Sequence, residues 1–398
     1  MSKLEKLIQQ YCPDGVEYVR LGDVAQVCRG TRVVRSQLTE VGYPVYQNCL
    51  TPMGCFEDTN CPKGTTFVIC GGAAGNVGYT DVDCWAADDC EYIECSHTIL
   101  NRYVYYCLMS KQHYLLSKVR KASIPRLSPN VIKDLEIPVP PLPVQEEIVR
   151  VLDAFTELQA ELQAELQAEL QKRKQQYNFY RDNLLNFKNI NRGGQEIKWM
   201  KMSEVCNIKG RIGFRGYTRN DQVKRGEGAL SLSPSNISNG KMDYSKGTYI
   251  TWTKYDESPE IQTFNGDIIF CKTASIGKVA FVTNLPCKAT INPQLVVLKD
   301  IKCSARFLSY FLETNYIQNI VMSLAGIGSV PNISQKALSD ILIPIPPLEE
   351  QNRIVSILDR FDTLTNDLTQ GLPAEMEKRR QQYEFYRDKL LTFKRKEA

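Results

Sequence analysis

The sequence predicts an α+β protein in which two globular mixed α/β domains alternate with two long helices, the whole pattern forming an internal repeat. Three observations predict it. First, the segment from Ser128 to Lys188 recurs from Ser334 to Lys394 at a constant offset of 206 without a gap, and 31 of the 61 paired positions are identical. Repeats of this size have to be read before any local pattern. Second, apolar residues within each copy recur about every 3.5 residues, the spacing of a helix–helix seam. Third, the regions preceding the copies hold short apolar runs divided by Gly- and Asp-rich turns, as in a mixed or antiparallel sheet with long loops.

Taken in order, Lys3 to Tyr11 reads as a short amphipathic helix stopped by Pro13-Asp14-Gly15. It has neither the apolar core nor the small-residue cleavage site of a signal peptide. The first globular region, residues 1–142 with this helix, has strand-like pieces at Tyr43–Gln47, Thr65–Cys70, Val77–Thr80 and Glu91–Cys95, then a helix predicted over Tyr103–Val119. The proline-rich IPVPPLP follows, and in the second copy IPIPPLE. Prolines fit an extended segment and the first helical turn, where no amide donor is needed. Glu146 and Glu147, like Glu349 and Glu350, suit the positive end of a helix.

The central helix, in a segment spanning 143–190, carries its seam from Ile148 and Leu152 through Phe155 and Leu170 to Tyr177 and Phe187. Copy two keeps it from Ile354 and Leu358 to Tyr383 and Phe393, so two seams of matching phase are expected to pack. Inside the first lies a tetrapeptide repeat of strong helix formers, Glu-Leu-Gln-Ala, starting at Glu157, Glu161 and Glu165 and ending as Glu169 to Lys172. Each unit adds about 6 Å of rise, so the repeat acts as a ruler adjustable in whole units. Copy two lacks it and carries Gly371-Leu372-Pro373, where a kink or break is predicted.

The polar stretch Asn189 to Gln195 is the natural boundary between halves. A second globular region, 191–346, precedes the C-terminal helical segment, 347–398. It echoes the first loosely: Arg20 to Val24 resembles Lys201 to Val205, Ala73 to Tyr79 resembles Ser275 to Phe281, and Tyr106-Cys107-Leu108 aligns with Tyr310-Phe311-Leu312.

The chain has 398 residues, a net charge of +4 and 43% hydrophobic residues, enough for two or three domains with ample core. So mild a basicity permits a nucleic-acid partner without demanding one. No apolar run approaches the roughly 18 residues that span a membrane. Of fourteen cysteines, ten precede residue 108, but none forms a CxxC pair and the only histidines are His97 and His113. Zinc sites usually show tight ligand pairs, so these read as reduced, mostly buried thiols of a cytoplasmic protein, with no metal expected.

No phosphate-binding loop and no dinucleotide fingerprint is present, and no cofactor is expected. Gly71 to Gly75 is glycine-rich but sits between strands and reads as a turn. Asn292-Pro293-Gln294 is similar to the Asn-Pro-Pro-aromatic box of amino-methyltransferases but lacks its second proline and aromatic residue. Pairs such as Asp88-Asp89 are common on solvated loops. Nothing rises to a catalytic site.

Basic and polar residues gather instead in particular loops. In the first region these are Arg29, Thr31, Arg32 and Arg35, then Lys121, Ser123 and Arg126. In the second they are Lys209, Arg211, Arg215, Tyr217 and Arg219, then Lys272, Thr273 and Lys278, and Ser329 in a glycine loop. Such side chains on loops can neutralise phosphates and reach base edges, which makes them candidate DNA contacts.

IPxPPLxxQ opening a long helix that ends in QQYxFYRDxLLxFK, present twice between two divergent globules, resembles the specificity subunit of type I restriction–modification enzymes. The resemblance covers the whole chain, though the globules match that family's target-recognition domains only in outline. It implies that the long helices pack antiparallel with a pseudo-twofold relation, and that each globule reads one half of a split, asymmetric double-stranded DNA site. It implies further that the helices set the unread spacer and dock two methyltransferase subunits, that motor–nuclease subunits complete the enzyme, and that this subunit has no active site. Two alternatives make distinct predictions. A self-sufficient DNA methyltransferase or nuclease would bind S-adenosylmethionine or cleave DNA alone; a coiled-coil scaffold would show no sequence-selective DNA binding even with partners present.

Overall fold

The computed structural model describes residues 2–187, 197–211, 216–326, 330–366 and 372–396, with main chain only for 364–366. The chain forms two compact units, Met1–Glu165 with Met376–Ala398, and Leu166–Glu375. The division falls within both repeat segments, so each unit takes the start of one long helical segment and the end of the other.

The first unit opens with the helix Lys3–Tyr11, capped by Ser2 and Glu5 in reciprocal hydrogen bonds. Its strand Tyr18–Arg20 pairs antiparallel with Glu136–Pro138, the extended lead-in to the long helix Leu142–Leu184. The central sheet is antiparallel, in the order Ala25–Arg29, Cys90–Cys95, Thr65–Ile69, Val77–Thr80. The helix Asn101–Ser110 covers it, burying Tyr103, Val104 and Cys107 in one core with Val68, Ile93, Ile148 and Leu152. Leu391 belongs to the same core. The second unit repeats the plan. Lys198–Lys201 pairs with Leu342–Ile345, and a four-stranded sheet runs Asn207–Gly210, Leu295–Lys299, Ile268–Cys271, Val279–Phe281. It adds a five-stranded sheet centred on Ala229–Leu232, which the first unit lacks among the described residues.

In each unit a globule is tied to a long helix by the same contacts. Gln145 is fully buried; its Oε1 accepts from Leu100 N at 2.9 Å and its Nε2 donates to Pro140 O at 2.7 Å. Gln351 does the same with Ser304 N at 2.8 Å and Pro346 O at 2.7 Å. About two helical turns further on, Asp153 Oδ1 accepts from Arg102 Nε at 2.7 Å and from the Tyr106 hydroxyl at 2.5 Å. Asp359 Oδ1 accepts from Arg306 Nε at 2.9 Å and from the Tyr310 hydroxyl at 2.5 Å. Burial, the largest influence, and the adjoining carboxylate raise both tyrosine hydroxyl pKa values, so they stay protonated donors.

The paired helical segments run antiparallel within each unit. In the first, the Thr156 hydroxyl meets that of Tyr383 at 2.8 Å, while ten residues later Phe393 O accepts from Tyr18, whose strand leads back to the helix start. In the second, Tyr180 stacks on Phe361 at 5.5 Å and Phe187 meets Phe307 at 6.1 Å, three residues beyond the Ser304 that Gln351 binds.

Three sequence expectations are refined. The helix over Tyr103–Val119 is two helices, Asn101–Ser110 and Gln112–Ser117, because Lys111 leaves helical geometry at ψ 10° and its N–H caps the first. The seam is not buried throughout: Leu158 is 62% exposed and Phe155 40%, whereas Ile148, Leu152 and Leu170 are buried. The second helical segment consists of Leu348–Asn366 and Leu372–Leu390. Gly371, part of the expected break, lies outside the described residues; Pro373 sits in the first turn of the later helix, where its missing donor costs nothing.

Removing either helix carboxylate leaves a guanidinium and a buried hydroxyl without their acceptor. Asp153→Ala and Asp359→Ala should each destabilise the protein by about 1–2 kcal/mol, since the ion pairs are partly solvated, and Asn at these positions should cost less. Urea unfolding followed by circular dichroism measures this, and no change would show that the contacts are idle.

Candidate nucleic-acid interface

Each unit contains a frame of three turns joined by main-chain hydrogen bonds. In the first unit the centre is the hairpin turn between Thr65–Ile69 and Val77–Thr80. Ile69 N donates to Asn76 O at 2.9 Å and Gly75 N to Ile69 O at 2.8 Å. The turn needs positive φ at Gly72 (83°) and Gly75 (89°), a region where a Cβ is strained. A closing loop is bonded to one flank: Leu127 N donates to Cys70 O at 2.9 Å and Gly72 N to Pro125 O at 3.0 Å. Arg120 and Arg126 bridge its two arms, leaving Lys121 and Ser123 exposed between them. The turn before Cys90–Cys95 supplies the other flank, where Asp89 O accepts from Cys70 N at 2.7 Å.

The second unit repeats these bonds with different residues. Cys271 N donates to Lys278 O at 2.8 Å and Gly277 N to Cys271 O at 3.0 Å. Ile333 N donates to Lys272 O at 2.9 Å, Ala274 N to Pro331 O at 3.0 Å, and Lys272 N to Gln294 O at 2.9 Å. Gly326 and Asn332 bridge the closing loop as Arg120 and Arg126 do. Ala274, where the first unit has Gly72, keeps the positive φ at 64°.

The candidate residues fall unevenly on this frame. Lys121, Ser123 and Arg126 lie on the first closing loop, and Lys272, Thr273 and Lys278 on the second hairpin turn. Arg29 joins the first frame through its Nε, 3.4 Å from Asp88 O. Thr31 N donates to Ala86 O at 2.9 Å, while Arg32 and Arg35 are exposed further along the same loop. Lys209 is exposed on the strand Asn207–Gly210 and Arg219 on a turn; among the described residues neither side chain is hydrogen-bonded to the frame. Tyr217 is half-buried, its hydroxyl 2.8 Å from that of Ser231. Arg215 and Ser329 lie outside the described residues.

Arg211, grouped with these by sequence, is turned inward instead. It is 7% exposed, with Nε donating to Ile291 O at 3.1 Å and Nη2 to Thr290 Oγ1 at 3.2 Å. Burial, the leading cause, lowers its pKa. Conversely, Asp89, Gln294 and Asn332 occupy the frame, although the sequence suggested only a solvated acidic pair at Asp89, an incomplete methyltransferase-like box at Gln294 and nothing at Asn332. The alignment of Ala73–Tyr79 with Ser275–Phe281, extended back two residues, would have brought Gly71 and Thr273 into register and pointed there.

Among the described residues no cluster of His, Cys, Asp or Glu could hold a metal, and no helix is long and apolar enough to cross a membrane. The cysteines are all free, and burial raises the thiol pKa of Cys70, Cys95 and Cys107 to about 12.

Comparison with known proteins gives a consistent picture. The family model described as the type I restriction modification DNA specificity domain matches residues 13–172 and again 194–378. The Escherichia coli type I restriction enzyme EcoR124I/EcoR124II specificity subunit is 30% identical over 432 aligned residues, covering 100% of this chain and 98% of that protein. A putative type I specificity subunit of Mycoplasma pneumoniae is 34% identical over 275 residues, covering 66% of this chain and 98% of its own length. A chain from a study of complex assembly and conformational transition of the type I R-M system shares the fold at a TM-score of 0.64 and 17% identity, covering 96% of this chain and 98% of that one. The duplicated helical blocks, the twice-built frame and these matches agree: the chain belongs to the type I restriction–modification specificity subunit family.

Proposed function

We propose that this chain reads DNA for a type I restriction–modification complex, each globule recognising one half of a bipartite, asymmetric site. The observation that carries this is the frame of three turns, built twice with equivalent main-chain bonds and unlike side chains. Two readers on one plan with different surfaces suit two different half-sites. In this reading the target-recognition domains are residues 1–142 and 191–346, and the helical segments 143–190 and 347–398 are spacers. Arg29, Thr31, Arg32, Arg35, Lys121 and Ser123 serve the first domain; Lys209, Tyr217, Arg219, Lys272 and Lys278 serve the second, where the Thr273 hydroxyl is turned to Asn332 instead. Their contacts with phosphates give salt-dependent affinity, while base contacts give sequence choice. Two half-sites on one body bind with high effective concentration only at the matching separation. Methylation and cleavage belong to the partner methyltransferase and motor–nuclease subunits, not to this chain.

The helices also offer a surface for two copies of one partner. Phe179 is 65% exposed beside Tyr180, and Phe385 is 63% exposed beside Tyr386, with ring centroids 5.7 and 5.4 Å apart. Exposed aromatic pairs of matching geometry are what an interface core is made from.

The overall test is to assemble the chain with its methyltransferase subunits and map modified bases; a pattern independent of this chain would overturn the reading. Deleting one Glu-Leu-Gln-Ala unit removes about 6 Å of helix against about 3.4 Å per base pair. The unread spacer should shorten by one or two base pairs with both half-sites unchanged, and an altered half-site over the same spacer would count against the ruler. Phe179→Ser and Phe385→Ser should each weaken one methyltransferase contact about tenfold or more while leaving stability within about 0.5 kcal/mol, as native mass spectrometry and thermal unfolding would report.

A further inference from the structure

The two frames match in main-chain bonding, but the side chains they present differ at paired positions. Gly71 bridges to Arg126 in the first unit as Thr273 bridges to Asn332 in the second. Asp89 and Gln294 are the paired acceptors on the other flank. In the first unit Arg126 Nη1 donates to Asp89 Oδ1 at 2.9 Å, and Arg126 remains 50% exposed. Gly71 makes this possible, because a Cβ there would lie 2.5 Å from the Asp89 carboxyl carbon. In the second unit a side chain returns at that position, and the Thr273 hydroxyl donates to Asn332 Oδ1 at 2.8 Å while Asn332 stays exposed.

Both arrangements fix an outward-facing polar side chain with a partner inside the frame. A cation meant only for phosphate gains nothing from a carboxylate beside it, since that charge opposes the phosphate. A side chain that must meet one base edge does gain, because its fork is oriented before contact. A guanidinium pinned through one nitrogen keeps its others for the O6 and N7 acceptors of guanine. A carboxamide whose oxygen has one lone pair engaged keeps the second lone pair and its NH2 group for the N6 and N7 edge of adenine.

We infer that positions 126 and 332 are equivalent base-reading positions, Arg126 selecting guanine in one half-site and Asn332 selecting adenine in the other, with Asp89 and Thr273 as their positioning residues. This rests on the reading of the chain as two half-site readers and adds which side chains choose which base.

The test maps methylated bases on a randomised DNA library modified by the full chain assembled with its methyltransferase subunits. Arg126→Gln should relax the choice at one G·C pair of the first half-site about tenfold or more, and Asn332→Ala at one A·T pair of the second. In each variant the other half-site is an internal control, unchanged because that unit is untouched. Asp89→Asn and Thr273→Val, which keep the side-chain size, should weaken discrimination at the same base pair as Arg126→Gln and Asn332→Ala respectively, and at no other. A uniform fall over all sites with an unaltered sequence preference would make these phosphate-binding or structural residues and overturn the assignment. So would relaxation at an A·T pair in Arg126→Gln or at a G·C pair in Asn332→Ala. A wild-type chain that directs no bipartite modification would overturn the two-reader reading itself and the assignment with it.

Discussion

A single carboxylate on each long helical segment holds the rest in register. Asp153 and Asp359 each take a guanidinium and a tyrosine hydroxyl from the globule. The guanidinium does more than pair. Arg102 lies over Tyr79 at 4.3 Å, on the strand that leaves the first hairpin turn; Arg306 lies over Phe281 at 5.6 Å, on the matching strand of the second. A planar, forked cation can lie flat on a ring and present its edge to a carboxylate at once. The helix is thus linked through one side chain to the strand that carries the turn, and the turn inherits an orientation set by the helix.

That linkage explains why the loops can differ so widely while the plan is kept. The frame is made of main-chain acceptors, which every residue supplies, and main-chain donors, which every residue but proline supplies. Its demands on side chains are few: a positive φ where Gly72, Gly75, Ala274 and Gly277 stand, and room beside Gly71 for the Asp89 carboxylate. The other positions of the three turns carry unlike side chains in the two units, as at Asp89 and Gln294 and at Arg126 and Asn332, while the main-chain bonds are kept.

The same division decides what could be read from the sequence. The helix Lys3–Tyr11 and the long helix Leu142–Leu184 were legible because their side chains repeat with the helical period, and the hairpin strands of the first unit because short apolar runs there end in glycine-rich turns. The frame was not, because hydrogen bonds between Cys70, Asp89 and Leu127 join segments far apart in sequence and leave no side-chain period. Arg211 shows the converse. It stands in a run rich in arginine and glycine, yet Thr290 and Ile291 of a neighbouring strand take it up, and no local pattern distinguishes an arginine that faces water from one that faces a backbone carbonyl. Asn292-Pro293-Gln294 resembled a methyltransferase box through its letters, whereas Gln294 serves the frame through its main-chain oxygen.

The composition of the compact units carries a last consequence, for synthesis and damage. The first unit draws on Met376–Ala398 to complete itself, and Leu391 lies in the same core as Leu152. The unit whose translation begins first is therefore finished last, after every residue of its neighbour has left the ribosome. A premature stop codon in the final helix would spare the later-encoded unit and open the interior of the earlier one, so loss at one end of the message is felt in the unit encoded from the other end.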